Sequence, residues 1–217
     1  MMKTDLELKR AVEAELAWDP MVKSTGIGVA AKDGVVTVTG HIDTYSEKWA
    51  VEKALRRVAG VKAIALELDV RLSPDHRRSD TDIANAAESA LQWNNLVPKD
   101  AIRLIVDKGW ITLQGQVDWD YQRRAAEKSV RHLIGVQGIS NEIMLRQRPT
   151  PVDISSRIRE ALARQAARAA SHVDVQVADG VVTLRGKVHS WRERDAAQGA
   201  AWSAPGARIV INELVID

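Results

Sequence analysis

The 217-residue chain contains no cysteine. This absence excludes a disulfide framework, a thiolate nucleophile, a cysteine-based metal site and an acceptor for a lipoprotein anchor. The sequence has no run of about 18 apolar residues, so we expect no membrane span. It also lacks an excess of one charge, since 31 Lys and Arg residues almost balance 29 Asp and Glu residues. The field of the whole chain therefore gives no reason to expect nucleic acid as a partner.

The N-terminus lacks the apolar core of a secretory signal. The stretch MMKTDLELKRAVEAEL alternates charged and apolar residues at helical spacing. It contains no apolar run of about 7 to 15 residues, which a signal peptide requires. The sequence therefore predicts a cytoplasmic protein.

One pattern is present three times. The stretch GVVTVTG, from Gly34 to Gly40, returns as GWITLQG and as GVVTLRG. The residues around it align without a gap when the chain is shifted by 75 or by 146 positions, and the connectors between them are rich in turn-forming and charged residues. We therefore predict three tandem domains of one structure, over residues 1–71, 79–146 and 150–217.

Hydrophobic periodicity predicts the elements of each unit. In the first copy Leu8, Val12 and Leu16 recur every four residues and mark one face of a helix. The period then becomes two on both sides of Asp33-Gly34, which indicates a β-hairpin with a two-residue turn. A second helix and a last strand follow. The fold class is therefore α+β, with each αββαβ unit packing two helices on one face of a three-stranded mixed sheet.

The hairpin turn also predicts the register of its strands. Ala31 is expected to face Val36, and Val29 to face Val38, which places their side chains on the buried face. A glycine closes the second strand of each unit on that face, where we expect a helix to approach closely. These glycines are Gly40, Gly115 and Gly186.

Two stretches connect these units to a known family. They are VDVQVADGVVTLRGKV, from Val173 to Val188, and GVQGISNEIML, from Gly135 to Leu145. Both resemble the pattern of the BON domain (bacterial OsmY and nodulation). The resemblance implies non-enzymatic modules of osmotic and envelope stress that bind phospholipid surfaces or other ligands. Many members are periplasmic or lipid-anchored, so a periplasmic location is the alternative to a cytoplasmic one.

No catalytic motif accompanies the repeat. Gly34 and Gly40 bracket a strand, whereas the glycines of a phosphate loop lie between a strand and a helix. Neither G-x-S-x-G nor H-E-x-x-H occurs. The histidines occupy mostly unrelated repeat positions, which argues against a shared metal site; they are His41, His76, His132, His172 and His189. We predict no catalytic residue, no cofactor and no metal.

The outward face of the second helix is the first candidate surface. In the first copy Trp49, Lys53 and Arg56 share this face, and an indole among cations suits an anionic phospholipid surface. The second copy contributes Trp119, Arg124, Lys128 and Arg131. The alternative is an ordinary solvated face on which a tryptophan covers a neighbouring domain.

The sheet face away from the helices is the second candidate surface. Alternation places apolar residues there in the second and third copies, namely Ile105, Trp110, Met144, Val181, Ile209 and Ile211. Exposed apolar patches of this kind mark interfaces. Two interpretations of these residues are open. They pack against the next unit of the same chain, or they bind a protein partner or client. The rival to a lipid-binding module is therefore a cytoplasmic stress protein that binds a protein or a small ion through these faces. The oligomeric state stays open.

Overall fold

A computed structural model describes residues 3–146, 154–165 and 173–216. Within these ranges the chain forms one αββαβ unit three times. The first unit contains α1 (Asp5–Trp18), β1 (Ile27–Lys32), β2 (Val35–Ile42), α2 (Tyr45–Arg57) and β3 (Ala63–Val70). The second contains α3 (Asp80–Gln92), β4 (Ile102–Asp107), β5 (Trp110–Val117), α4 (Asp120–Val130) and β6 (Gly138–Leu145). The third contains α5 (Ile154–Gln165), β7 (Val173–Ala178), β8 (Val181–Val188), α6 (Trp191–Trp202) and β9 (Ile209–Ile216). The predicted fold class is confirmed.

Each sheet has the second strand of its hairpin at the centre. The strand orders are β1-β2-β3, β4-β5-β6 and β7-β8-β9. In the first and third domains the hairpin is antiparallel, and the last strand runs parallel to the central one. A parallel neighbour requires a crossover connection, and the second helix of each domain supplies it.

The hairpin turns lie where the sequence predicts them. Asp33 and Gly34 have φ angles of 52° and 84°, and the equivalent pairs of the other two domains are alike. A two-residue turn with positive φ at both positions matches the twist of the strands that it joins. Ala31 faces Val36 and Val29 faces Val38, so the predicted register is confirmed.

The core of each domain lies between the sheet and its two helices. In the first domain the predicted helix faces are buried, and Val36 and Val38 meet them from β2. The buried apolar side chains that α1 and α2 contribute are Leu8, Val12, Leu16, Ala50, Val51, Ala54 and Leu55. In the third domain the buried apolar residues of α6 and of the turn that follows it are alanines, at Ala197, Ala200, Ala201 and Ala204. Trp191, the first residue of α6, is partly buried against the same core.

Gly40 and Gly115 approach the start of a strand, and the expected close contact with a helix is wrong for these two glycines. A Cβ at Gly40 would overlap the carbonyl oxygen of Gly26, and a Cβ at Gly115 would overlap that of Ala101. Both carbonyls belong to the residue immediately before the first strand of the hairpin. The φ angles are 131° at Gly40, 141° at Gly115 and 129° at Gly186, values that L side chains rarely adopt. The glycine thus closes the hairpin.

The described chain divides into two compact units. The first unit comprises Met1–Val117 and Tyr121–Met144, and so holds the first two domains together. The second comprises Asp118–Asp120 and Leu145–Asp217, and so holds the third domain. The first two domains are therefore one structural body.

Candidate functional site

A buried carboxylate fixes the start of α2, the helix that carries the first candidate surface. The hydroxyl oxygen of Thr44 caps the helix by accepting the Glu47 amide at 3.2 Å. The Glu47 side chain is buried, and it accepts the amide of Lys23 at 2.7 Å and the amide of Asp43 at 3.0 Å. Carboxylates are favourable near a helix N-terminus, where amide groups lack intrahelical partners. Glu47 thereby ties the helix to two chain segments.

Trp49 projects from α2 onto the second domain. The guanidinium carbon of Arg131 lies 4.6 Å from the centroid of the Trp49 ring, and the Lys53 ammonium lies 5.2 Å from it. The His132 ring meets the same indole edge to face at 6.5 Å between centroids. Two cations over one indole are each favourable by about 0.5 to 2 kcal/mol. The indole therefore contacts both domains. This arrangement matches the alternative from the sequence analysis in which a tryptophan covers a neighbouring domain.

Further contacts reinforce this junction. Ser46 Oγ lies 3.0 Å from His132 Nδ1, and it donates to the Arg131 carbonyl oxygen at 3.4 Å. Arg131 itself is held by the Glu127 carboxylate at 2.6 Å, and only 14% of its side chain is exposed. Burial raises the pKa of Tyr45, and the nearby Glu127 carboxylate raises it further. The junction is thus a packed, charge-compensated contact.

The other residues of the predicted lipid-facing set lie in different environments. Lys53, Arg124 and Lys128 are exposed. Arg56 pairs with Glu52 of the same helix at 2.6 Å, and Trp119 is half-buried in the segment before α4. The structure therefore gathers Trp49, Lys53 and Arg131 and leaves other cations open to solvent. Whether this surface meets lipid stays a prediction.

Two tryptophans that the sequence interpretation missed are the most exposed large apolar residues in the described part of the chain. Trp18 ends α1 and is 84% exposed, and Met21 follows it at 51%. Trp93 follows α3 and is 89% exposed, with Leu96 three residues later at 50%. A shift of 75 positions superposes the two pairs. The signal that could have found them was an apolar pair, repeated in register, outside the periodic face of the helix.

The second candidate surface is solvent-exposed on the described domains. Ile105, Trp110 and Met144 are exposed on the second sheet, and Ile209 and Ile211 on the third. Val181 beside them is half-buried. The Trp110 ring lies flat over Gly138 and donates its indole N–H to Ser140 Oγ at 2.9 Å. A glycine on the neighbouring strand thus makes room for the large ring.

Trp110 and Gly138 are expected to be energetically coupled. Gly138→Ala alone drives a methyl group into the ring and should destabilise the protein by about 1 to 3 kcal/mol. Adding Trp110→Val recreates the pair that Val35 and Ala63 form in the first domain and should recover much of that loss. A double-mutant cycle measured by urea unfolding should give a coupling of at least about 1 kcal/mol. Additive effects would contradict the contact.

Two depressions lie in the surface of the first two domains. A cleft of about 220 Å³ lies beside the start of α2, where Lys23 pairs with Asp43 and Glu47 accepts backbone amides. Lys23, Asp43 and Glu47 therefore already have partners within the domain. A groove of about 1000 Å³ in the second domain runs between α3 and β4, with Asn85, Gln92 and Arg103 among its lining residues. Thr25 and His41 also line the first cleft, but the carboxylate beside them, Asp43, pairs with Lys23.

The residues that the structure describes hold neither a metal-ion cluster nor a membrane-spanning helix. They contain no group of three or more His, Cys, Asp or Glu side chains placed to hold a metal ion. None of their helices combines the length and the apolarity that a bilayer span requires. The His172 position of the sequence analysis lies outside the described residues.

Comparison with known proteins places the three units in one family. The BON domain model matches residues 4–71, 79–147 and 152–217. The chain belongs to the BON domain family.

A curated relative and a solved structure add context. The chain is 25% identical over 143 residues to osmotically-inducible protein Y of Escherichia coli (strain K12), covering 64% of this chain and 71% of that protein. It also matches the C-terminal domain of CdsD, a structural protein of the type III secretion system of Chlamydia trachomatis. The identity is 14%, the coverage 99% of this chain and 100% of the other, and the TM-score 0.27. A score this low carries no weight for fold or function.

Proposed function

We propose that this protein is a non-enzymatic binding module of stress or envelope physiology whose ligand is an anionic phospholipid surface. Membership of the BON family and the osmotically inducible relative support the stress context. The observation that carries the lipid proposal is the repeated exposure of Lys53 and Lys128. They occupy the same repeat position on the second helices of two domains that form one compact unit.

The junction at Trp49 gives Lys53 a fixed position. Lys53 lies over the indole, which Arg131 holds from the other domain. Exposed cations near an anionic bilayer each contribute about 1 kcal/mol to binding. Arg56 and Arg57 lie on the same helix, but carboxylates at 2.6 Å from each already partly neutralise them. We therefore assign the main electrostatic contribution of α2 to Lys53, and Lys128 occupies the same repeat position on α4.

Reversing both lysine charges is expected to weaken vesicle binding. Lys53→Glu with Lys128→Glu should lower the partition onto vesicles of equal parts phosphatidylglycerol and phosphatidylcholine at least about tenfold, because each lysine contributes about 1 kcal/mol. The remaining binding should depend less on salt, because surface attraction is screened within about 8 to 10 Å. Co-sedimentation at low and high salt measures both effects. The thermal unfolding temperature should fall only modestly, because both side chains are exposed and Lys53→Glu removes one cation over the Trp49 ring, a contact of about 0.5 to 1 kcal/mol at an exposed site.

A matched control distinguishes the effect of where the two lysines lie from the effect of the change in net charge. Lys32→Glu with Lys62→Glu makes the same change in net charge at exposed positions near the hairpin turn. Lys32 is the last residue of β1, and the six residues of this strand span about 20 Å. Lys32 therefore lies at the end of β1 that is far from the loop joining α1 to β1. This control should keep most of the vesicle binding. Equal losses in both variants would show that net charge alone matters and would contradict the assigned surface.

The exposed sheet faces support a second candidate function. Ile105, Trp110 and Met144 form an exposed apolar group on one sheet, and Ile209 and Ile211 do so on another. Such groups are typical of protein interfaces. A protein partner or client is therefore the alternative ligand, and it gains support if the wild type binds neither anionic nor neutral vesicles.

A further inference from the structure

The loops after α1 and α3 display apolar side chains in the same way. We refer to residues 18–22 and 93–97 as the first and second tip loops. Each begins with a nearly fully exposed tryptophan and carries an exposed Met21 or Leu96 three residues later. The last residues, Val22 and Val97, turn back toward their domains, and Val22 is buried.

The two tip loops have the same backbone hydrogen bonds. In the first, the Asp19 carboxylate accepts the Met21 amide at 3.1 Å, and its carbonyl accepts the Val22 amide at 3.0 Å. In the second, the Asn94 side chain accepts the Leu96 amide at 2.9 Å, and its carbonyl accepts the Val97 amide at 3.0 Å. Asp and Asn at this position fold the chain into a tight turn through their own side chains.

Each turn is also anchored to the second helix of its domain. Arg57 donates to the remaining Asp19 oxygen at 2.9 Å, and this hydrogen bond lowers the pKa of Asp19. Asn94 donates to Ser129 Oγ at 2.8 Å. The apolar side chains are thus presented on fixed turns, so little conformational entropy is lost when a ligand meets them.

Charge identifies the kind of surface that these turns fit. Lys53 lies one helical turn before Arg57, which anchors Asp19, and Lys128 directly precedes Ser129, which anchors Asn94. Each tip loop therefore carries a tryptophan and a second exposed apolar side chain. An exposed lysine lies on the second helix of the same domain, and all three residues occupy matching repeat positions. The third domain has Arg164, Ala167 and Gly199 at those positions, so its sequence lacks the combination.

We propose that the two tip loops insert into an anionic bilayer. Trp18 and Trp93 lie at the depth of the headgroups, Met21 and Leu96 reach the acyl boundary, and Lys53 and Lys128 meet the lipid phosphates. An amphipathic indole prefers that interfacial depth, and aliphatic burial adds to the attraction of the cations. The inference rests on the proposed function and adds insertion to surface attraction.

The absence of cysteine allows a direct test of insertion. Trp18→Cys and Trp93→Cys, each labelled with an environment-sensitive fluorophore, should show a blue shift on vesicles of equal parts phosphatidylglycerol and phosphatidylcholine. Lys32→Cys, near the hairpin turn, should not. Removing the four apolar tip side chains by alanine substitution should weaken vesicle binding about tenfold or more. Ile105→Ala with Met144→Ala removes exposed apolar side chains from a sheet face and should leave binding unchanged.

The outcomes separate the two proposals. If the wild type sediments with anionic vesicles, but both tip probes stay aqueous and the alanine variant binds equally well, the tip inference is wrong and the proposed function stands. If the wild type does not sediment with anionic vesicles, both proposals fail. If the sheet-face variant loses binding and the tip variant does not, the bilayer contacts the sheet face, and the tip inference is also overturned.

Discussion

Gly115→Ala should destabilise the second domain by about 4 kcal/mol. A non-glycine residue at a φ of 141° carries a backbone strain of about 1 to 3 kcal/mol. The added Cβ would also overlap the Ala101 carbonyl oxygen, and overpacking costs a further 1 to 3 kcal/mol or so. Backbone atoms cannot rotate away as a flexible side chain does, so the hairpin must shift. Urea unfolding monitored by circular dichroism measures the loss.

Gly199→Ala provides the matched control. Gly199 lies inside α6, and a Cβ there meets nothing within 4 Å. Alanine in the interior of a helix is favoured over glycine by about 1 kcal/mol, so this variant should unfold at higher urea concentration. If Gly115→Ala were as stable as the wild type, the close approach of Gly115 to Ala101 would be wrong.

Glu47→Ala should be the second large effect, with a loss of about 3 kcal/mol. The substitution leaves the amides of Lys23 and Asp43 without the carboxylate that they share. Hydrogen bonds to a charged group contribute about 1.5 to 3 kcal/mol each. Glu47→Gln should lose less, because the amide oxygen still accepts a hydrogen bond, and the second domain has Gln122 at this repeat position.

A variant of an exposed glutamate is the control for the simple loss of one negative charge. Glu13 pairs with Lys9 on the surface of α1, at 3.7 Å and with about half of its side chain exposed. Glu13→Ala should therefore cost no more than about 0.5 kcal/mol. Equal urea midpoints for the Glu13 and Glu47 variants would contradict the role of Glu47 as a buried tie between segments.

Local patterns predicted most of each domain and little of the candidate site. The turn at Asp33-Gly34 fixed the register, and the four-residue spacing of Leu8, Val12 and Leu16 fixed the buried face of α1. Neither inference needs any residue outside a short window. The partner of Trp49 could not be found in this way, because Arg131 lies in the next domain, far along the chain. The position of Trp49 on α2 suits a membrane face and a domain junction equally.

The sequence by itself determined the number of units, their element order and the strand register, because these follow from periodicity and turn chemistry. The tertiary structure alone decided what each outward residue contacts. It placed Trp49 against the second domain, set Gly115 over a strand backbone, and left Trp18 and Trp93 in solvent. The physical reason is that burial and charge pairing depend on residues brought together from distant parts of the chain. The hydrophobic period of a helix or a strand reflects only nearby residues, so it does not identify these contacts.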